Sequence, residues 1–185
     1  MLDFLLRRGW TLAKIQTRLF IGKQLTKLAH DERIWGTVGR YTVKRIKDQT
    51  RLGKSLVTNS QLKPITGTTT RLKEMDISFG TKVSKFYSLG ASNLTFTGQL
   101  LNAIFFILKP IKGNFGVIIG VNNKLRKKTQ REKFDKTPPK SNKQVADEVA
   151  AAGRPFMGMD KIGRDEITKI INRFFIRELR RLGKK

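Results

Sequence analysis

The sequence predicts an α+β fold: a long N-terminal helix, a central antiparallel β-sheet with a hairpin, and a C-terminal amphipathic helix packed on the sheet. Three observations predict it. Leu5, Leu12, Ile15, Leu19 and Leu28 recur near the helical period within residues 2–29. Two runs rich in Ile, Val and Phe, 103–108 and 115–121, flank "KPIKGN", whose Pro110 and Gly113 have the composition of a hairpin connection. In "RDEITKIINRFFIRELRRL", Ile167, Ile170, Ile171, Phe174, Phe175, Leu179 and Leu182 follow the i, i+3, i+4, i+7 rule of an amphipathic helix.

The intervening segments follow in order. A second helix is expected over 33–47, with Ile34, Val38 and Tyr41 on one face and Gly36 and Gly39 arguing against it. Residues 49–98 are rich in Thr, Ser, Gly and Lys and read as mostly surface, with "KPITGTTTRLK" an exposed loop. Residues 99–102 form a short helix or turn before the hairpin. Residues 122–143 combine dense Lys and Arg with two adjacent prolines and read as a loop or arm that a partner would order. "SNKQVADEVAAAG" predicts a short helix capped by Ser141 and stopped by Gly153. Asp165 and Glu166 near the start of the last helix, and Arg180 and Arg181 at its end, complement the helix dipole. The division that follows is a helical N-terminal region, 1–48, and an α+β domain, 49–185, with its basic arm at 122–143.

Composition limits the chemistry. A formal charge of +25 over 185 residues implies a polyanion nearby, with nucleic acid ahead of an anionic membrane surface. The chain has no cysteine and one histidine, His30, so thiol chemistry and multi-histidine metal sites are closed. His30, Asp31 and Glu32 read as a helix end rather than a metal trio. Ser55, Ser60 and Ser84 lack a nucleophile elbow and a second base. No catalysis and no cofactor are expected. Arg7, Arg8, Lys14, Arg18 and Lys23 interrupt every apolar run of the first residues, so a soluble, unprocessed chain without a membrane span is expected. Trp10, Phe20 and Trp35 are expected in core packing rather than stacked on bases.

In "AAGRPFMGMD", Pro155 fixes its own φ and pushes Arg154 away from helical geometry, while Gly153 and Gly158 permit tight turns. A rigid joint results, with Phe156 aimed into a core or a neighbour and Arg154 outward. A simple interhelix turn around a buried Phe is the plainer alternative, and residue types alone do not decide between them.

"GRPFMG" before a terminal amphipathic helix, "NLTFTGQLLNAI" before a hairpin and "KPITGTTTRLK" upstream occur together in an order that resembles the phage virion morphogenesis, or tail-completion, family. Leu94, Thr97, Gly98 and Leu100 match its "L-x-x-T-G-x-L" motif; Arg154, Pro155, Phe156, Met157 and Gly158 match its "a-R-P-F-[LM]-G" motif. Pro64, Thr70 and Lys73 resemble a weaker loop motif, and the likeness spans roughly 60–182. The resemblance implies a structural virion protein of the neck or tail, a head-tail connector or tail terminator assembled in the host cytoplasm. It would work as a ring homo-oligomer, expected as a hexamer, between portal-side connector and tail tube proteins. Its implied subunit and partner interface is Arg154, Pro155, Phe156, Met157, Phe174 and Phe175. Lys124, Arg126, Lys127, Lys128, Arg131 and Lys133 would face DNA in the channel or an acidic partner; by charge alone, 124–136 read equally as a solvated loop.

Two other readings fit parts of the chain. A basic nucleic-acid-binding protein, such as a ribosomal protein, matches the composition. A basic amphipathic helix at 1–29 lying on an anionic membrane leaves the rest without a role.

Overall fold

A computed structural model of the chain describes residues 26–64, 66–84, 98–111 and 114–182. The element order is α1 (Glu32–Arg51), α2 (Gly67–Ser78), α3 (Gln99–Asn102), β1 (Ile104–Ile111), β2 (Asn114–Val121), α4 (Gln130–Phe134), α5 (Asn142–Ala151) and α6 (Lys161–Leu182). The fold is α+β. The helix expected at 2–29 lies outside the described residues apart from a helical turn at 26–29, as do Trp10, Phe20, Leu94 and Thr97.

Helix α1 starts where Asp31 accepts a hydrogen bond from the Arg33 N–H (2.9 Å), an N-cap that satisfies one of the first turn's orphan donors. It buries Ile34, Val38 and Ile46 at helical spacing. It also buries Gly36 and Gly39, the two residues that argued against a helix here. Gly39 has a packing reason. A Cβ built there would stand 2.6 Å from Cγ of Phe106, so the absent side chain lets the β1 ring lie directly on the helix backbone.

Strands β1 and β2 pair antiparallel, with Ile104 opposite Val121, Phe105 opposite Gly120 and Ile107 opposite Ile118. They run further than the apolar runs suggested, so Pro110 lies inside β1 opposite Phe115 rather than in the connection. Proline is tolerated on edge strands, and among the described residues neither strand has a second β-partner, so both are edges. Alternation puts Ile104, Phe106 and Leu108 toward α1. Phe105 and Ile107 (41% and 44% exposed) face outward beside Ile118.

Two buried clusters share α1. One joins Ile46 to Leu56, Leu101, Ile104, Ala146 and Phe156. The other joins Leu28, Ile34 and Val38 to Phe174 of α6, with Val117, Ile170 and Phe175 packed around it. Helix α6 therefore rests mainly on α1 and meets the sheet at Val117. Helix α1 runs through residue 48 and supplies both clusters, so among the described residues 26–48 pack into the same core as the elements that follow.

Three segments differ from expectation. "KPITGTTTRLK" is a helix in its second half: the Thr66 side chain accepts from the Thr69 N–H (3.2 Å) and caps α2. The expected free arm at 122–143 is tied down. Its helix α4 begins with a capping box between Thr129 and Glu132, Arg126 bridges Glu132, and the Arg131 N–H donates to buried Asp76 of α2 (3.2 Å). Helix α6 starts at Lys161, a turn before Asp165 and Glu166, and its first turn holds no acid. The dipole complement comes from Asp160 instead. Helix α5, capped by Ser141, and the short α3 form as expected.

Replacing Gly39 by Ala isolates the α1 seam. Helix propensity alone favours alanine by about 1 kcal/mol, whereas overpacking against Phe106 costs about 1–3 kcal/mol. The expected outcome is net destabilisation in urea unfolding, and a stabilised Gly39→Ala protein contradicts the close contact.

Candidate functional site: the Arg-Pro-Phe joint and the basic faces

Helix α5 ends in a Schellman motif. The Arg154 N–H donates to Val149 O (3.2 Å) and the Gly153 N–H to Ala150 O (2.9 Å), the two bonds that close a helix through a left-handed residue. Gly153 is that residue, at φ +72°. Pro155 then prevents the helix from resuming, and its carbonyl accepts from the buried Ser55 hydroxyl (2.6 Å). The same Ser55 oxygen accepts from the N–H groups of Val57 and Thr58. One buried hydroxyl thus ties the joint to the loop after α1.

Phe156 is 1% exposed and lies at the centre of the first cluster, between Leu56, Leu101 and Ile104. Of the two destinations open to it from sequence, the core is where it lies. Met157 packs half-buried against the same cluster. Arg154 does not project freely outward as expected. It is half-buried, and burial pushes its guanidinium below the usual range. Lys73 stands nearby, its ammonium lowered to about 8 by burial and then by the Arg154 charge. An apolar groove of about 330 Å³ lies beside the joint, bounded by Gly120 and Val121, by Ala146 and Ala150, and by Pro155 and Met157.

Asp160 completes the joint. Its side chain accepts from the Gly163 N–H (2.9 Å) at the start of α6, and Arg45 of α1 grips it through Nε (3.0 Å) and Nη2 (2.6 Å). The Arg45 hydrogen bonds hold the carboxyl below the usual carboxylate range, against the opposing effect of burial. A bidentate pair of this kind joins α1, the joint and α6 at one point.

Of the six arm cations, Arg126 and Arg131 are committed internally, to Glu132 and to Asp76 and Asp135. Lys124, Lys127 and Lys133 are exposed and Lys128 half-buried. Phe174 is buried and Phe175 half-buried, so both serve the α1–α6 contact. Trp35 is half-buried, its Nε1 donating to Ala29 O (2.7 Å). His30 and Asp31 form a helix end, Asp31 as the α1 cap. No group of three His, Cys, Asp or Glu that could hold a metal, and no helix long and apolar enough to cross a membrane, occurs among the described residues.

Sequence reasoning missed three features here: Asp160 as cap and staple, the ties of α4, and a second basic face. Asp160 was legible as an N-cap residue type just before the periodic run. The second face is the outer side of α6, where Arg173, Arg177, Arg180 and Arg181 line one surface; their i, i+4, i+7, i+8 spacing was its signal.

Comparison with family models, with curated proteins and with solved structures finds no match for this chain.

Two substitutions test the joint. Phe156→Ala should cost roughly 3–5 kcal/mol, as core Phe truncations do, so any loss of assembly would follow from lost stability; an unchanged denaturation midpoint contradicts the core placement. For Asp160 the sign follows from its lowered folded pKa: the contribution is present above the unfolded value of about 3.9 and lost as pH falls through the folded one. Asp160→Asn strands the Arg45 charge, at about 3 kcal/mol or more for a broken buried pair. The melting-temperature gap to the native protein should be wide at neutral pH and narrow on acidification below about pH 4; a constant gap would show that the carboxylate charge is not what holds the joint.

Proposed function

We propose that this chain is a structural subunit of a phage neck, joining the portal side of a head to a tail as a ring homo-oligomer and performing no catalysis. The observation that carries the reading is the convergence of the two resemblance motifs. Leu100 from the first, and Phe156 and Met157 from the second, lie far apart in sequence and pack in one cluster at the base of the hairpin. Residues that resemble a family's signature and jointly build one body are a stronger signal than either stretch alone.

The same body leaves a surface for lateral contact. Phe105, Ile107 and Ile118 form an outward apolar face (39–44% exposed) on a hairpin, and neither of its strands has a further β-partner among the described residues. Open edges and exposed apolar faces are what monomers avoid and assemblies use. Head-to-tail repetition of such a contact closes into a ring when its rotation allows.

A chain of charge +25 repels its own copies, and raising salt shortens that repulsion from about 10 Å at 0.1 M to about 3 Å at 1 M. Apolar association should therefore strengthen with salt. Light scattering after size exclusion should show a ring-sized species favoured at high salt, and Ile107→Asp should reduce it to monomer with its circular dichroism unchanged. A native protein that stays monomeric at every salt and concentration would overturn the reading.

A further inference from the structure

The basic groove between α1 and α6 belongs to neither resemblance motif, and it is built from both helices. Its walls and floor are Ile34 and Thr37 of α1 and Ile170, Arg173, Phe174 and Arg177 of α6, around a cavity of about 300 Å³. Two guanidiniums flank the buried ring of Phe174: Arg33 Cζ lies 5.8 Å and Arg177 Cζ 5.4 Å from its centroid. Arg33 is itself held on Asp31, through Nε (3.0 Å) and Nη2 (2.5 Å), whereas the cation–π placement of Arg177 holds its guanidinium over an apolar floor with N–H donors turned to solvent.

The row continues along α6. Arg173, Arg177, Arg180 and Arg181, with Ile176, border a second concavity of about 460 Å³. Arg177 and Arg181 have side chains 70% and 69% exposed, and Arg173 and Arg180 are exposed as well. From Arg173 onward, Glu178 is the only acid in α6. It is buried, and it stands 3.9 Å from Arg33, 3.5 Å from Arg177 and 3.7 Å from Arg181. Arg33 is oriented chiefly by Asp31, so Glu178 acts mainly on Arg177 and Arg181 and one buried carboxylate leaves the α6 row strongly cationic. Among the described residues, Arg173 and Arg180 take part in no ion pair.

From this geometry we infer that the α1–α6 groove and its arginine row bind the phosphodiester backbone of duplex nucleic acid without reading its sequence. Successive arginines four residues apart are about 6 Å apart along the helix axis, close to two base steps of a strand at 3.4 Å each. A guanidinium fork pairs with phosphate oxygens bidentately, while the Thr37 hydroxyl at the groove's edge donates to Arg33 O (2.9 Å) and accepts from Arg40 Nη2 (3.2 Å). Shape separates nucleic acid from a bilayer. A groove between two helices admits a convex phosphate ridge, whereas a flat headgroup plane would touch only its rims. The surface is distinct from the cations at 124–133, two of which are committed to internal pairs. It stands whether or not the chain forms a ring.

The test is fluorescence anisotropy of a labelled 30-base-pair duplex titrated with the full chain from 0.05 to 0.3 M NaCl. Binding should weaken with salt, opposite in sign to self-association, so the two proposals can fail separately. Each lost phosphate contact flattens the log–log salt slope by about 0.9. Arg173→Ala with Arg180→Ala should flatten it by nearly 2 and weaken binding by on the order of tenfold at 0.1 M. Arg173→Lys with Arg180→Lys should keep the native slope, and Lys127→Ala with Lys133→Ala should leave it unchanged. An unaltered slope in the double alanine protein, a loss carried by the lysine pair instead, no duplex binding by the native chain, or tighter binding to phosphatidylglycerol vesicles than to duplex would each overturn the inference.

Discussion

The contact between α1 and the hairpin is the constraint on which the rest of the structure depends. An isolated two-stranded hairpin is marginal, and among the described residues this one lays its inner face on α1. The seam passes through Gly39, where the Phe106 ring occupies the space of a side chain. Because α1 lies that close, its far end reaches Ile104 and Phe156 through Ile46. Its near end reaches Val117 and Phe174 through Ile34 and Val38. Remove the helix and neither cluster closes.

The joint at 153–160 acts on the same helix from the other side. The Schellman bonds end α5, Ser55 fixes the Pro155 carbonyl, Phe156 fills the core, and Asp160 starts α6 while gripping Arg45. Within eight residues one helix ends, another begins, and both are fastened to α1. Gly153, Pro155, Phe156 and Asp160 each have a separate physical task, so a specific sequence is needed there even without chemistry to perform.

Much of this was legible in the sequence where periodicity is strong. Helix α6, the hairpin and the Ser141 cap of α5 follow from apolar spacing and capping residue types. What escaped was decided by tertiary contacts. Gly39 reads as a helix breaker until Phe106 is placed on it. Residues 67–78 carry little apolar periodicity, so α2 depends on its Thr66 cap and on Asp76, which receives Arg131 from a segment more than fifty residues away. Lysine and arginine density at 122–143 looked like a solvated arm because composition does not reveal which charges find partners. Phe156 was legible as a buried aromatic, and only the fold shows that it is buried in its own core.

Charge placement connects body and surface. Among the acids, Asp76, Glu132, Asp160 and Glu178 have side chains only 5–14% exposed, and each stands against an arginine. These carboxylates act as internal staples, so they hold arginines in place while doing little to soften the field outside. The arginines at 173–181 expose their side chains in a row, even where Glu178 stands beside Arg177 and Arg181. Under both proposals, a protein arranged this way would meet other copies of itself through apolar area, against electrostatic repulsion, and polyanions through charge. Salt pushes those two contacts in opposite directions. Assembly through the hairpin face and phosphate binding on α6 can therefore coexist on one small body: the outward side chains of β1 and β2 and the arginines of α6 belong to different elements and rest on different physical forces.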